Sequence, residues 1–227
     1  MHWLVLLCAV VALVAGPQWW VKQTLKRHAA VRQDLAGTGG ELAQHLIKQL
    51  NLEQVTLLSD AVSDHYNPAT KQVCLSPEIA NGRSLTAVVV AAHEVGHAIQ
   101  DRQGYRPLQL RTQIARFCIG LERASSYLLI AIPLVMLATR VPQSGMLMLL
   151  MVAGSMVAGV VLNLVTLPVE FDASFGRALP ILEQGNYLEE ADLPAARKIL
   201  TACALTYVAA SLLSLLNAWR WLRFARR

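Results

Sequence analysis

Charge is what this sequence has least of. Lys, Arg, Asp and Glu together make up 15% of its 227 residues, against about 25% in an ordinary soluble domain. The deficit sits in four apolar stretches, Trp3 to Val21, Ser126 to Val141, Gly145 to Val169 and Ile199 to Leu222, and the rest reads as ordinary globular sequence. That pattern predicts a small water-facing domain attached to membrane helices, which makes the lipid bilayer a partner. Cysteine is scarce too. None of Cys8, Cys74, Cys118 and Cys203 has C-x-x-C spacing, which argues against a disulfide framework or a thiolate zinc knuckle and fits a reducing compartment. Repeats and low-complexity tracts are absent.

The net charge is +5. The basic residues flank apolar stretches, Lys22, Lys26 and Arg27 after the first and Arg220, Arg223, Arg226 and Arg227 at the end of the last. Aromatic residues do not interleave with them, so juxtamembrane charge is the reading and no nucleic-acid partner is expected. The positive cluster follows the first apolar stretch instead of preceding it. That suits an uncleaved anchor with the next domain in the cytoplasm, rather than a signal peptide. Eleven Lys and Arg lie between Lys22 and Arg116, which favours the same side. The Arg-rich C-terminus falls on the opposite face if all four stretches span, and the first loop is given the greater weight.

The expected fold is mainly α, a multi-span helical bundle carrying a small zincin-like α+β domain with a short β-hairpin and one active-site helix. Residues 1–21 form an N-terminal anchor, 22–123 the catalytic domain, 124–169 a transmembrane hairpin closed by the loop Arg140 to Gln143, 170–198 a polar connection and 199–227 a last span with a basic tail. Thr24 to Leu52 reads as two helices broken at Gly37-Thr38-Gly39-Gly40, the second burying Leu42, Leu46, Ile47 and Leu50. Val55 to Ser76 looks like strand material with a turn at Asn67-Pro68. Ser84 is an N-cap for a helix running to about Gln103 and stopped by Gly104. Arg106 to Arg123 suits an amphipathic helix.

That capped helix carries His93-Glu94-Val95-Gly96-His97. Residues four apart lie one turn apart on one helix face, so both imidazoles can meet one Zn²⁺ at about 2.0–2.1 Å. Glu94 projects beside the first histidine, where its carboxylate can take a proton from a water activated by the metal and return it to a leaving amine. Gly96 leaves room for substrate or a crossing element. The run Val88 to Ala92 buries the first half of the helix, and Gln100-Asp101-Arg102 reads as exposed.

A catalytic zinc needs a third protein ligand and one open position. No histidine follows His97, so the third ligand must be acidic. Glu170, in Pro168-Val169-Glu170-Phe171-Asp172-Ala173-Ser174 at the end of a span, is the best candidate and Asp172 its rival. Pro168 reads as a residue near a helix start. Two spans separate His97 from Glu170, which puts both on one side of the membrane. Arg177, seven residues past Glu170 and so expected near the same helix face, either stabilises an oxyanion, holds a substrate carboxylate or contacts headgroups. His65 is either a site residue or a hydrogen-bonded histidine in the hairpin turn.

Four segments, Ser63 to Pro68, Val90 to Gln100, Leu167 to Ser174 and Ala204 to Ala210, resemble in order those of the neutral zinc metallopeptidases of bacterial membranes, the YugP-like group. The resemblance implies a zinc-dependent protease of bacterial membranes and gives no substrate; the metal set and the apolar stretches together point to a multi-pass inner-membrane protein acting on peptides or membrane proteins. More distantly the chain is similar to the HtpX-like peptidases, gluzincins with a Glu-Phe/Tyr-x-Ala-Asp ligand segment. That likeness makes Glu170 the third ligand. The chain departs from it at Ser174, where that group has an aspartate that orients a zinc histidine. Ser174, Asp172 or a backbone carbonyl is left to substitute. Metalloendopeptidase is the leading function. The alternatives are an intramembrane metalloprotease, which Leu85 to Ala92 is too short to support as a full span, and a non-catalytic scaffold or chaperone-like protein with a structural zinc, which would need a fourth ligand.

Overall fold

The computed structural model describes residues 2–139 and 143–206. Eight α-helices and three short strands follow in order: α1 (His2–Arg27), α2 (Gly39–Gln49), β1 (Thr56–Leu58), β2 (His65–Asn67), β3 (Gln72–Cys74), α3 (Pro77–Ala80), α4 (Leu85–Arg102), α5 (Arg106–Thr139), α6 (Gln143–Phe171), α7 (Leu179–Gln184) and α8 (193–206). A seven-residue π-helical segment, Asp172–Ala178, joins α6 to α7. A single 3₁₀ turn, Glu190–Asp192, precedes α8.

Local sequence chemistry sets most of these boundaries. Thr38 and Glu41 form a reciprocal capping box at the start of α2, satisfying two backbone donors that the first turn would leave open. The break before α2 is longer than the glycine cluster suggests. α1 stops at Arg27, and 28–38 are not helical. Arg32 holds that connection by pairing with Asp34 and Asp192, and its amide donates to the Arg83 carbonyl. Ser84 accepts from the Ala87 amide and starts α4, and Gly104 at φ 64° ends that stretch in the left-handed region.

The sheet is mixed, with the order β1-β3-β2. β3 pairs parallel with β1, Leu57 opposite Val73, and antiparallel with β2, Tyr66 opposite Val73. The β2–β3 hairpin turns where Asn67 Oδ1 accepts from the Ala69 and Thr70 amides, an Asx turn. The sequence shows this hairpin, but the parallel partner β1 comes from a non-local pairing that alternation does not reveal. Val73 of β3 and Leu75 just after it enter a core completed by Leu46 of α2, Val89 and Val95 of α4, and Leu182, Ile199 and Leu200. α4 is therefore wrapped on nearly every side, and its residues 85 to 98 are all buried.

α5 runs unbroken from Arg106 to Thr139, where an amphipathic helix and a separate span were expected, and it packs against α6. The expected loop between them includes Arg140 to Pro142, outside the described residues. Val157–Gln184 is long and apolar enough to cross a membrane, with a mean hydropathy of 1.4, and is the one such stretch among the described residues, where the sequence suggested four. Trp3 to Val21 lies within α1 and Ser126 to Val141 reaches the end of α5, whereas the last span falls mostly outside the described residues, which end at Thr206. Pro168 is inside α6, not at a helix start. Proline removes one hydrogen bond of the helical ladder, and the π segment begins four residues later.

Candidate metal centre

His93 and His97 project from one face of α4, their rings edge to face with centroids 4.7 Å apart. Opposite them stands Glu170, two residues before the π segment. Its Oε2 lies 3.2 Å from His93 Nε2 and 3.4 Å from His97 Nε2. All three side chains are buried, and their donor atoms lie within 4.8 Å of one another. The approach is close because residue 96 is glycine. A Cβ there would sit 2.8 Å from the Ala173 carbonyl oxygen, so the crossing element is the π segment itself. A π turn widens the backbone by one residue and re-aims the side chains that follow.

The hydrogen bonds around this cluster fix which imidazole nitrogens carry protons. Gln100 Nε2 donates to the Val169 carbonyl and to Asp172 Oδ2, each at 2.8 Å. Its Oε1 therefore faces His97 Nδ1 at 3.0 Å and can only accept. Ser174 Oγ spends its one proton on the Leu200 carbonyl at 3.2 Å and accepts from His93 Nδ1 at 3.1 Å. Both Nδ1 atoms are donors, which leaves both Nε2 lone pairs of neutral imidazoles directed at a carboxylate. Such a set is balanced only by a cation, a proton or a metal ion, at its centre.

The spacing fits a metal. Two donors bound tetrahedrally at 2.0–2.1 Å lie about 3.3 Å apart, close to the two Nε2–Oε2 separations. Two imidazoles and one carboxylate are also a borderline donor set of the kind zinc accepts. His93, His97 and Glu170 could thus hold one divalent ion. Asp172 is not in the cluster. It accepts from Gln100 and pairs with Arg177 Nε at 3.1 Å.

Glu94 lines the same cavity, which has a volume of about 570 Å³. Its carboxylate has no hydrogen-bond partner among the described residues. Burial drives the Glu94 carboxyl above the usual carboxylate range against the pull of His93 and His97. Burial also works against a charged His97, but the Glu170 carboxylate outweighs it and raises the imidazole overall.

Arg177 does not line the cavity and is turned to Asp172 and Gln103. A π turn does not keep residues seven apart on one face, which is why spacing misplaced it. His65 is the first residue of β2, not in the turn, and is exposed at the cavity wall with Nδ1 3.0 Å from the Ser63 carbonyl. Gln100, read as exposed, is fully buried. Its spacing of three from His97, on the same helix face, is the signal that would have placed it beside the histidine.

This arrangement can be set beside known proteins. Residues 3–226 match the family model described as "Putative neutral zinc metallopeptidase". The chain is 33% identical over 231 residues, covering 97% of this chain and 95% of the relative, to a Bacillus subtilis (strain 168) protein described as "Putative membrane protease YugP". No solved structure matches. With the family model spanning nearly the whole sequence, the chain belongs to the neutral zinc metallopeptidase family.

Proposed function

We propose that this protein is a membrane-bound zinc metalloendopeptidase in which His93, His97 and Glu170 hold the metal and Glu94 moves the proton. The observation that carries the reading is the convergence of two Nε2 lone pairs and one carboxylate at tetrahedral spacing, beside a buried carboxylate with no hydrogen-bond partner among the described residues. When bound, Zn²⁺ would supply Lewis acidity that acidifies water at its open position and polarises a peptide carbonyl. The described residues offer three ligand atoms, which suits an open catalytic position rather than a closed structural site.

The chain's own groups then have separate tasks. Glu94 accepts the proton of the attacking water as oxygen bonds to the carbonyl carbon. It returns that proton to the amide nitrogen as the C–N bond breaks, so one water is consumed and the carboxylate is regenerated. Burial raises its carboxyl pKa, which makes it a stronger proton acceptor than an exposed glutamate. Gln100 and Ser174 hold the two imidazoles in the ligating tautomer. β2 is an edge of the sheet on the cavity wall, and an extended peptide or membrane-protein segment can add to it as a strand.

The apolar stretch that delivers Glu170 and the relative's description support a membrane location; a multi-pass chain in the bacterial plasma membrane rests on the four apolar stretches of the sequence, and the basic cluster after the first of them favours a cytoplasmic catalytic domain. Purified Glu94→Gln protein tests the mechanism: it should keep its zinc and lose peptide cleavage. Cleavage at the wild-type rate would end the proposal.

A further inference from the structure

The cavity that holds the His–His–Glu cluster is not built from the soluble part alone. The C-terminal end of α1 supplies one of its walls through Lys22, Leu25 and Lys26. α1 is fixed in rotation there, because Thr86 Oγ1 donates to the Leu25 carbonyl at 2.7 Å and the Thr86 amide donates to the His28 carbonyl at 3.2 Å. Lys22 and Lys26 are one turn apart, so both lie on the helix face that lines the cavity. Arg111 of α5 adds a third cation to the lining. Both lysines are exposed and neither has an ion-pair or hydrogen-bond partner among the described residues. The acidic residues of the lining do not answer them: Asp64 is bound to Ser76 through Oδ1, and Glu94 and Glu170 belong to the buried cluster. Glu78 is exposed on the separate short helix α3.

We propose that Lys22 and Lys26 form an anion subsite that selects peptide substrates carrying an acidic side chain near the bond to be cut. The inference rests on the peptidase reading of the same cavity and adds a substrate class to it. The argument is one of placement. Two unpaired cations on a fixed helix wall lower the electrostatic energy of an anionic segment entering this cavity, and raise it for a cationic one. Lysines at the end of a membrane helix also suit lipid headgroups. These two line the same cavity as the metal cluster, where a bound headgroup would compete with the substrate for space.

The test measures binding, with full-length Glu94→Gln protein in an uncharged detergent. Two fluorescein-labelled ten-residue peptides serve as probes, identical except that three glutamates in one are glutamines in the other. Fluorescence anisotropy should show the glutamate peptide binding at least fivefold more tightly, an advantage that falls with added salt. Lys22→Arg with Lys26→Arg should keep that preference, Lys22→Gln with Lys26→Gln should erase it, and Lys22→Glu with Lys26→Glu should invert it.

Equal affinity for the two peptides, or a preference that survives the glutamine variant, overturns the subsite. So does a glutamine variant that loses affinity for phosphatidylglycerol nanodiscs while peptide selectivity stays intact, since that assigns the lysines to headgroups. Cleavage by the wild-type protein separates the two levels. A cleaving enzyme that shows no charge preference removes the subsite alone. A protein that binds neither peptide and cleaves nothing removes the peptidase reading and the subsite with it.

Discussion

Replacing Gln100 by leucine should cost this protein metal affinity as well as stability. The side chain is fully buried and makes three hydrogen bonds, accepting from His97 Nδ1 and donating to the Val169 carbonyl and Asp172 Oδ2. Leucine has similar bulk and none of these. At about 1 kcal/mol for each bond lost, and more where a buried partner is left without a donor, the fold should weaken by about 2–4 kcal/mol. His97 would also lose the acceptor that fixes its tautomer, an effect of about 10–100-fold on metal affinity. Gln100→Glu is the companion variant. It keeps an acceptor for Nδ1–H but removes the donor to Val169 and Asp172, so it should retain more affinity than leucine while also being destabilised. Zinc affinity read by competition with a chromophoric chelator, beside thermal unfolding in detergent, separates the two effects. If Gln100→Leu melts lower yet binds zinc within threefold of wild type, Gln100 is a packing residue and the tautomer argument fails.

Two more outcomes follow from the same geometry. Ser174→Ala removes the acceptor at His93 Nδ1 and the donor to Leu200; it should weaken zinc binding about tenfold, and unchanged affinity in the chelator competition would show that His93 needs no such support. Gly96→Ala would force a Cβ to within 2.8 Å of the Ala173 carbonyl oxygen and 3.4 Å of Arg177 Cβ. Because the first obstacle is backbone, the π segment must move, at a cost of about 1–3 kcal/mol, and wild-type melting with wild-type zinc content would contradict the close crossing described here.

The parts of this molecule legible in sequence are those written locally. Ser84 and Gly104 mark the ends of α4, and the four-residue spacing of His93 and His97 states that they share a face. Glu170 was reachable because the metal chemistry demanded an acidic ligand and the sequence offered few at the end of an apolar helix. What stayed hidden depends on a local departure from helical periodicity. The π turn after Phe171 puts Asp172 against Gln100 and Arg177, and delivers Ser174 to His93. A 3.6-residue period does not anticipate that shift, so Arg177 was expected on the Glu170 face. Gln100 was misread for a different reason. A polar side chain near a helix end is usually solvated, and it is the crossing of the π segment and the last turn of α6 over α4 that buries this one.

Metal content decides the central claim. Atomic emission on full-length protein purified in detergent, with zinc supplied in equal excess, should find one zinc per chain in the wild type and in Asp172→Ala, and almost none in Glu170→Ala. Stoichiometric, tightly held zinc in Glu170→Ala would contradict the three-ligand centre on which the proposed chemistry depends.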